Sequence, residues 1–375
     1  NLPRIDYTGG EGHWLFEPQS TNLLTQSELF SDSYWTKSGT SITPNATTSP
    51  DGTTNADNLV EDSANSQHYL QRNFTSTNGS SYTYKIYVKM NGRRNISLRE
   101  NGSTGYYVSF DLLNGVILEQ SNATGTIKEL TNGWFEITHT SVAGNSFNVA
   151  YYLLSDSYTS GNPQTSPYQG DGVSGFYIWG AMLEQNSFST SYIPTEGSIK
   201  TRLADAAFGA GSSDLINSTE GVLYAEIAAL ANDGTSRLIG LSDGTSTKRI
   251  NIYYDTSSNS IYGLLLNSSV QAITSFILSD STNFAKIAFK YKENDFQLWV
   301  NGTEVDTDSS GTTFTSDTLN KLSFDRADGV APFFGKTKCV AVFKEALTND
   351  ELECLTGEGY ESFNALALAN NYTII

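Results

Sequence analysis

The chain has 375 residues, 38% hydrophobic and 12% aromatic, long enough for two domains of ordinary size and too apolar for wholesale disorder. Ser and Thr make up roughly a quarter of it, Gly adds 32 residues and charged residues only 17%, a balance that favours strands and turns and excludes a helical bundle. A formal net charge of −18 repels phosphate backbones and excludes nucleic acid as a partner, and no apolar run reaches the ~18 residues of a bilayer-spanning helix, so membrane insertion is not expected.

Residues 1–24 read as an N-terminal lead-in or linker; the start at Asn1 rather than Met is read as the loss of an upstream segment. From 25 to 200 short alternating runs are separated by Asn, Gly, Ser and Asp. In the stretch from Tyr82 to Met90 one face holds Tyr84, Ile86, Val88 and Met90 and the other Lys85, Tyr87 and Lys89, the period of a half-buried strand. Further strands are expected at Ser97 to Arg99, Tyr106 to Leu112, Val116 to Glu119, Trp134 to Val142, Phe147 to Leu154 and Phe176 to Leu183, with turns at Asn101-Gly102 and Asn114-Gly115. The Pro194 and Gly197 region marks a boundary near 200, and a second series follows over 201–357. Its strands are expected at Val222 to Leu230, Arg237 to Leu241, Arg249 to Tyr254, Ile261 to Leu266, Ala285 to Lys292, Phe296 to Val300, Lys321 to Asp325 and Lys338 to Phe343, with a hairpin turn at Asn301-Gly302. Thr348 and Glu351 form a capping box, Leu347 and Leu352 a hydrophobic staple, and Gly357 a stop, which predicts a helix from Thr348 to Leu355 capping the open end of that sandwich. Residues 358–375 are a C-terminal tail, an edge strand or a contact with a neighbouring subunit. The fold expected is therefore all-β: two tandem antiparallel β-sandwich (jelly-roll) domains and one short C-terminal helix.

Catalytic signals are weak, and no catalytic residue is assigned. Glu293-Asn294-Asp295 is the nearest approach to the paired carboxylates of a glycosidase, but it falls in a predicted turn and Leu298 stands where a third acid is wanted. His13 and His68 have no identifiable partners; His139, with Glu136 and Thr138 as near neighbours in sequence, reads as a surface or satisfied strand histidine rather than a general base, and no Ser-His-Asp or Cys-His arrangement follows from spacing. Cys339 and Cys354 match no zinc spacing and read as small apolar residues, a single bridge between them being the alternative. No cofactor and no metal site is assigned; structural calcium at Asp51-Gly52 or Asp243-Gly244 stays open beside the simpler reading of ordinary turns. Sugar recognition asks only for aromatic faces and planar hydrogen-bonding groups, which Arg99, Asn101, Tyr106, Tyr107 and Tyr151 supply; these are the candidate carbohydrate-binding residues. Trp35, Trp134, Trp179 and Trp299 read as packing residues.

Three stretches carry a resemblance. Leu15-Phe16-Glu17-Pro18-Gln19-Ser20-Thr21-Asn22-Leu23-Leu24 with Trp35, Ser49-Pro50-Asp51-Gly52-Thr53-Thr54-Asn55-Ala56, and Ile178-Trp179-Gly180-Ala181-Met182-Leu183-Glu184 with Ser191-Tyr192-Ile193-Pro194-Thr195 together resemble the carbohydrate-binding-module-like domain of bacteriophage head-spike and tail-fibre proteins. Lys286-Ile287-Ala288-Phe289 with Leu298-Trp299-Val300-Asn301-Gly302, and the run from Val340 to Thr348, resemble the concanavalin A-like, laminin G-like lectin fold. The pairing implies a virion surface protein that binds host-surface carbohydrate, meets other virion proteins and forms a homo-oligomer, a trimer by analogy. A structural decoration protein without glycan affinity and a polysaccharide depolymerase or its accessory module are the alternatives.

Overall fold

The chain is all-β. The structure, a computed structural model, describes residues 2–7, 10–100, 105–144, 147–359 and 367–368, and divides into two compact units: Gln19–Leu203, and Asn1–Pro18 together with Ala204–Ile375. Each is an antiparallel β-sandwich.

In Gln19–Leu203, sheet A runs in the order Val116–Ser121, Tyr106–Asp111, Asn95–Glu100, Phe147–Leu154, His68–Phe74, Thr36–Ser38. Sheet B runs Ile127–Glu129, Trp134–Val142, Ser81–Asn91, Gly175–Glu184, Ala56–Glu61, Thr40–Thr47. Register fixes the core: Leu98 lies opposite Val108 and Tyr151 in sheet A, and Ile86 opposite Ile137 in sheet B, so alternate residues of each sheet meet in one buried cluster with Trp35 and Phe30. Ser81–Asn91 departs from the half-buried expectation, because its other face is covered too. Tyr87 packs with Trp134 and Trp179, and the Lys85 ammonium reaches the Thr190 carbonyl at 2.5 Å and Glu136 at 3.4 Å, bonds that keep a buried cation satisfied. Trp35, Trp134, Trp179 and Trp299 are all buried packing residues.

In the other unit, the seven-stranded sheet C runs Arg4–Asp6, His13–Phe16, Gly335–Phe343, Glu220–Ala229, Ala285–Lys292, Phe296–Val300, Thr303–Asp308. The five-stranded sheet D runs Ser269–Ile277, Ser260–Asn267, Lys248–Tyr254, Arg237–Ser242, Lys321–Ser323. The first residues are thus not a plain lead-in: Phe16 enters the core and stacks on Phe324 at 4.5 Å, while Ser20–Asn22 pairs with Lys200–Arg202 in the other unit's own structure. Their strands are three or four residues long and set among glycines, too short for alternation to show.

Several strands were not foreseen, among them Thr40–Thr47, Ala56–Glu61 and His68–Phe74 in the first unit and two in the second unit. Thr303–Asp308 carries three acids and is exposed or half-buried along its length; its pairing follows from the Asn301-Gly302 turn, both residues at positive φ (47° and 82°). Ser269–Ile277 alternates weakly because Val270, Ile273 and Ile277 stay exposed. Within sheet D, Gly263 lies directly under the Phe289 ring: a Cβ there would stand 2.2 Å from its Cδ2, so the close approach of the two sheets needs a residue without one.

The helix Asn349–Thr356 has the anticipated capping box: Thr348 Oγ1 accepts from the Glu351 amide, and the Glu351 carboxylate accepts from the Thr348 amide. It does not close the end of the sandwich. Leu347, Leu352 and Leu355 lie on the outer face of sheet C against Val222, Tyr224, Ala288 and Trp299. Those sheet residues are apolar on a face that would otherwise meet water, so the helix serves as their cover. Cys339 and Cys354 sit in the same cluster as free thiols, and burial pushes Cys339 up to about 12, which keeps it protonated and unreactive. The tail's proposed edge strand, with Tyr372 to Ile375, lies outside the described residues.

Candidate functional site

The sugar-contact residues expected in the first unit do not share one open surface. Tyr151 is fully buried among Trp35 and Tyr84 on the core side of sheet A, so its ring has no face to offer a ligand. Arg99 points to the opposite side and is buried as well: its Nη2 donates to Gln164 Oε1 at 2.6 Å and its Nε to Asn162 Oδ1 at 3.3 Å, both on a connecting strap that covers this side. Tyr107, opposite Arg99 in register, is 5% exposed, and Tyr158 of the strap hydrogen-bonds Ser109 beside it. Tyr106 is half-buried on the core-facing side with Glu100 opposite, and Asn101 lies outside the described residues. The correction is physical: alternation separates Tyr106 and Tyr151 from Arg99 and Tyr107, and the chain's own amides already occupy the Arg99 fork.

Sheet D presents a different surface. Ile250, Ile252 and Tyr254 point inward to the core, so Arg249, Asn251 and Tyr253 must point outward. Pairing aligns three outer rows across the strands. One holds Ser275, Tyr262, Tyr253 and Leu238; the next Ile273, Leu264, Asn251, Gly240 and Ser323; the third Val270, Leu266, Arg249, Ser242 and Lys321. Tyr253 and Tyr262 are half-buried and stack on each other, centroids 5.2 Å apart and planes 17° apart. The Asn251 amide lies flat over Gly240, where a Cβ would stand 2.0 Å from Nδ2, and its Oδ1 accepts from Arg249 Nε at 2.7 Å. Arg326 and Asp328 lie near the same end, joined to each other with Nη2 to Oδ2 at 2.8 Å.

The electrostatics follow from this packing. Burial, then the nearby Arg326, lower the Arg249 pKa, while Asp328 and Tyr253 act the other way. Burial, with Asp255 adding to it, pushes Tyr253 up to about 12, so its hydroxyl stays protonated and can donate. Much of this outer face is itself covered, Leu238, Ser242, Asn251, Leu264 and Ser323 being buried, so what it offers is the half-buried Tyr253 and Tyr262 platform and the half-buried Arg249 guanidinium, which the buried Asn251 amide holds in place, groups able to meet the C–H face and the polar substituents of a pyranose. Sequence reading found these strands but not the site, since 21 tyrosines give no hint which face the water. The available signal was the strict alternation of Arg249-Ile250-Asn251-Ile252-Tyr253, apolar residues in and polar ones out.

The other chemical candidates are structural. Asp295 of the Glu293–Asp295 turn pairs with Lys290 at 2.8 Å, and Glu293 is exposed. His68 is fully buried with Nδ1 2.8 Å from the Gly39 carbonyl, and His13 packs edge-on against Phe284. His139 is buried against Tyr84 with ring centroids 4.5 Å apart. Asp51 and Asp243 accept hydrogen bonds from Thr53 and Thr245 within their own turns. Among the described residues no three His, Cys, Asp or Glu side chains gather in a way that could hold a metal ion.

Residues 213–353 match the Laminin_G_3 family model, described as the concanavalin A-like lectin/glucanases superfamily; the match takes in sheet D and most of sheet C. Comparison with curated proteins gives no match. Among solved structures, the chain is similar to the CBM40 of the Ruminococcus gnavus IT-sialidase bound to α2,3-sialyllactose, at 17% identity and TM-score 0.33 over 40% of this chain and 94% of that one. It is also similar to chicken galectin 2, at 14% identity and TM-score 0.26 over 36% and 98%, and to mouse laminin α1 domains LG4-5, at 11% and 0.26 over 75% and 87%. Scores this low carry no weight for ligand or site.

Proposed function

We propose that the protein is a non-catalytic glycan-binding adhesin whose sheet D outer face contacts carbohydrate. The observation that carries this reading is the stacked Tyr253 and Tyr262 pair beside Arg249 and Asn251, on a sheet inside the stretch that matches the lectin and glucanase family model. The finer reading, a bacteriophage head spike or tail fibre at the virion surface that meets a host glycan and other virion proteins as an oligomer, rests on the resemblance of the N-terminal motifs. A weak site suits that setting, because copies repeated on a particle raise effective affinity by ~100-fold or more without new contacts.

The test is a glycan array probed with the full chain displayed multivalently on beads. Reproducible binding to a defined glycan set supports an adhesin. A blank across bacterial and animal surface glycans refutes it and leaves the structural decoration reading. Release of reducing or unsaturated ends from any bound polysaccharide would refute the non-catalytic part.

A further inference from the structure

The sheet D face also bears on the chemical class of the glycan, an inference that rests on the adhesin reading. The chain carries 40 acidic against 22 basic residues, so a cation on its surface is normally within reach of a carboxylate. Several arginines follow that rule: Arg93 pairs with Glu61, Arg94 with Asp111, Arg237 with Asp233 and Arg326 with Asp328, whereas Arg99, fully buried, has its fork on the Gln164 and Asn162 amides and Arg72 lies over the Tyr34 ring. Arg249 does not follow it either. Its Nε donates to the Asn251 amide oxygen and its Nη1 to the Ser246 carbonyl, both neutral acceptors. Asp328, the carboxylate nearest in effect, is engaged by Arg326 through Nε and Nη2. Lys321 stands in the same row as Arg249, one strand beyond Ser242.

A half-buried guanidinium held by neutral groups, with Arg326 nearby and Asp328 offsetting that like charge only in part, gains from an added anion, since partial desolvation and like charge both raise its energy. Of the five N–H donors of a guanidinium, those on Nη2 and the second on Nη1 are left, the edge that accepts a carboxylate or sulfate in a forked pair. Two residues along a strand advance about 7 Å, so Arg249 and Tyr253 lie about 14 Å apart at the backbone, and their long side chains bring a platform and a cation within the span of a short oligosaccharide.

We propose that this face binds an anionic glycan, with a sugar ring on Tyr253 and Tyr262 and a carboxylate or sulfate of the same oligosaccharide on Arg249. Asn251 fixes the fork, and Lys321, exposed two strands away in the same row, offers a second cation to a longer anionic chain. A bulk-charge effect does not produce such binding, because a chain of net charge −18 repels polyanions as a whole.

The experiment uses the full chain on beads and a panel in which every acidic glycan is paired with its carboxyl-reduced or desulfated form. The expected result is binding to acidic members that falls tenfold or more on neutralisation, and that weakens between 50 and 500 mM salt. The carboxyl-reduced and desulfated arms tell which anion is used. Arg249→Gln should bring acidic binding down to the level of the neutralised partner, and Arg249→Lys should restore only part of it, because an ammonium lacks the planar fork. The wild-type comparison needs no variant, so a misfolded substitution leaves the test intact. Equal binding of acidic and neutral partners, or hits confined to neutral glycans, overturns the inference and leaves the adhesin reading standing; a blank panel overturns both.

Discussion

His139 makes the stability of the first unit depend on pH in a way that can be calculated. Its ring is fully buried, stacks on Tyr84, and has no hydrogen-bond partner in normal geometry for either nitrogen among the described residues. Burial lowers its pKa to about 3, with only partial opposition from the backbone of His139 and Tyr106. In the unfolded chain the imidazole titrates near the ordinary value of about 6.5. The unfolded state therefore binds the proton more tightly, and the contribution of this group is fully present above pH ~6.5 and lost as pH falls toward the folded value. At pH 4.5 the imidazole is almost wholly protonated in the unfolded chain and almost wholly neutral in the folded one, which costs about 2.7 kcal/mol relative to pH 7.5. The figure hardly changes wherever the folded value lies below about 4. The assay is urea unfolding at pH 7.5 and 4.5 for the wild type and for His139→Phe, which keeps a ring against Tyr84 and cannot titrate. Carboxylate titration is common to both and cancels, so the wild type should lose about 2 to 3 kcal/mol more than the variant. Equal losses would refute a buried neutral imidazole at this position.

Three other substitutions probe the architecture. Gly263→Ala forces a Cβ into the Phe289 ring and should destabilise the second unit by about 1 to 3 kcal/mol, measured as a lower denaturation midpoint at unchanged slope. Thr348→Ala removes the oxygen that caps the Glu351 amide and should cost about 1 kcal/mol; a loss of amide-exchange protection confined to 349–356 would show that the helix uncovers sheet C. Arg93→Ala leaves the fully buried Glu61 carboxylate without its guanidinium, while Tyr168 and the Asp171 amide still donate to it, and should cost about 3 to 5 kcal/mol in thermal or chemical unfolding.

What could be read in the sequence follows the strength of local signals. Trp134 to Val142 and Arg249 to Tyr254 were legible as strands because apolar residues recur at every second position of each, although their other faces are largely covered as well, and the Thr348 and Glu351 spacing gave the helix because its cap is a local hydrogen-bond pair. Elements that owe their existence to distant partners were hidden. His13–Phe16 is a strand because Gly335–Phe343 offers it an edge 320 residues away, and the helix lies on sheet C because Tyr224 and Trp299 leave an apolar outer face there. The site was displaced for the same reason. Tyr151 and Arg99 have the right chemistry, but which side of sheet A they face, and that Asn162 and Gln164 return to cover it, depends on register and on a loop closing from 60 residues away. Composition names the residue types able to hold a sugar, while pairing decides which of them meet water.

The most direct test of the account compares Tyr253→Ala, Tyr262→Ala and Tyr107→Ala in multivalent binding to a glycan that the wild type recognises, with melting curves confirming that each is folded. Loss of an aromatic platform typically costs about 1 to 3 kcal/mol, so the first two should weaken binding by roughly tenfold or more, while Tyr107→Ala, whose ring lies buried behind the strap, should bind as the wild type does. Undiminished binding by Tyr253→Ala and Tyr262→Ala, or a loss seen with Tyr107→Ala alone, would contradict the assignment of the site to sheet D.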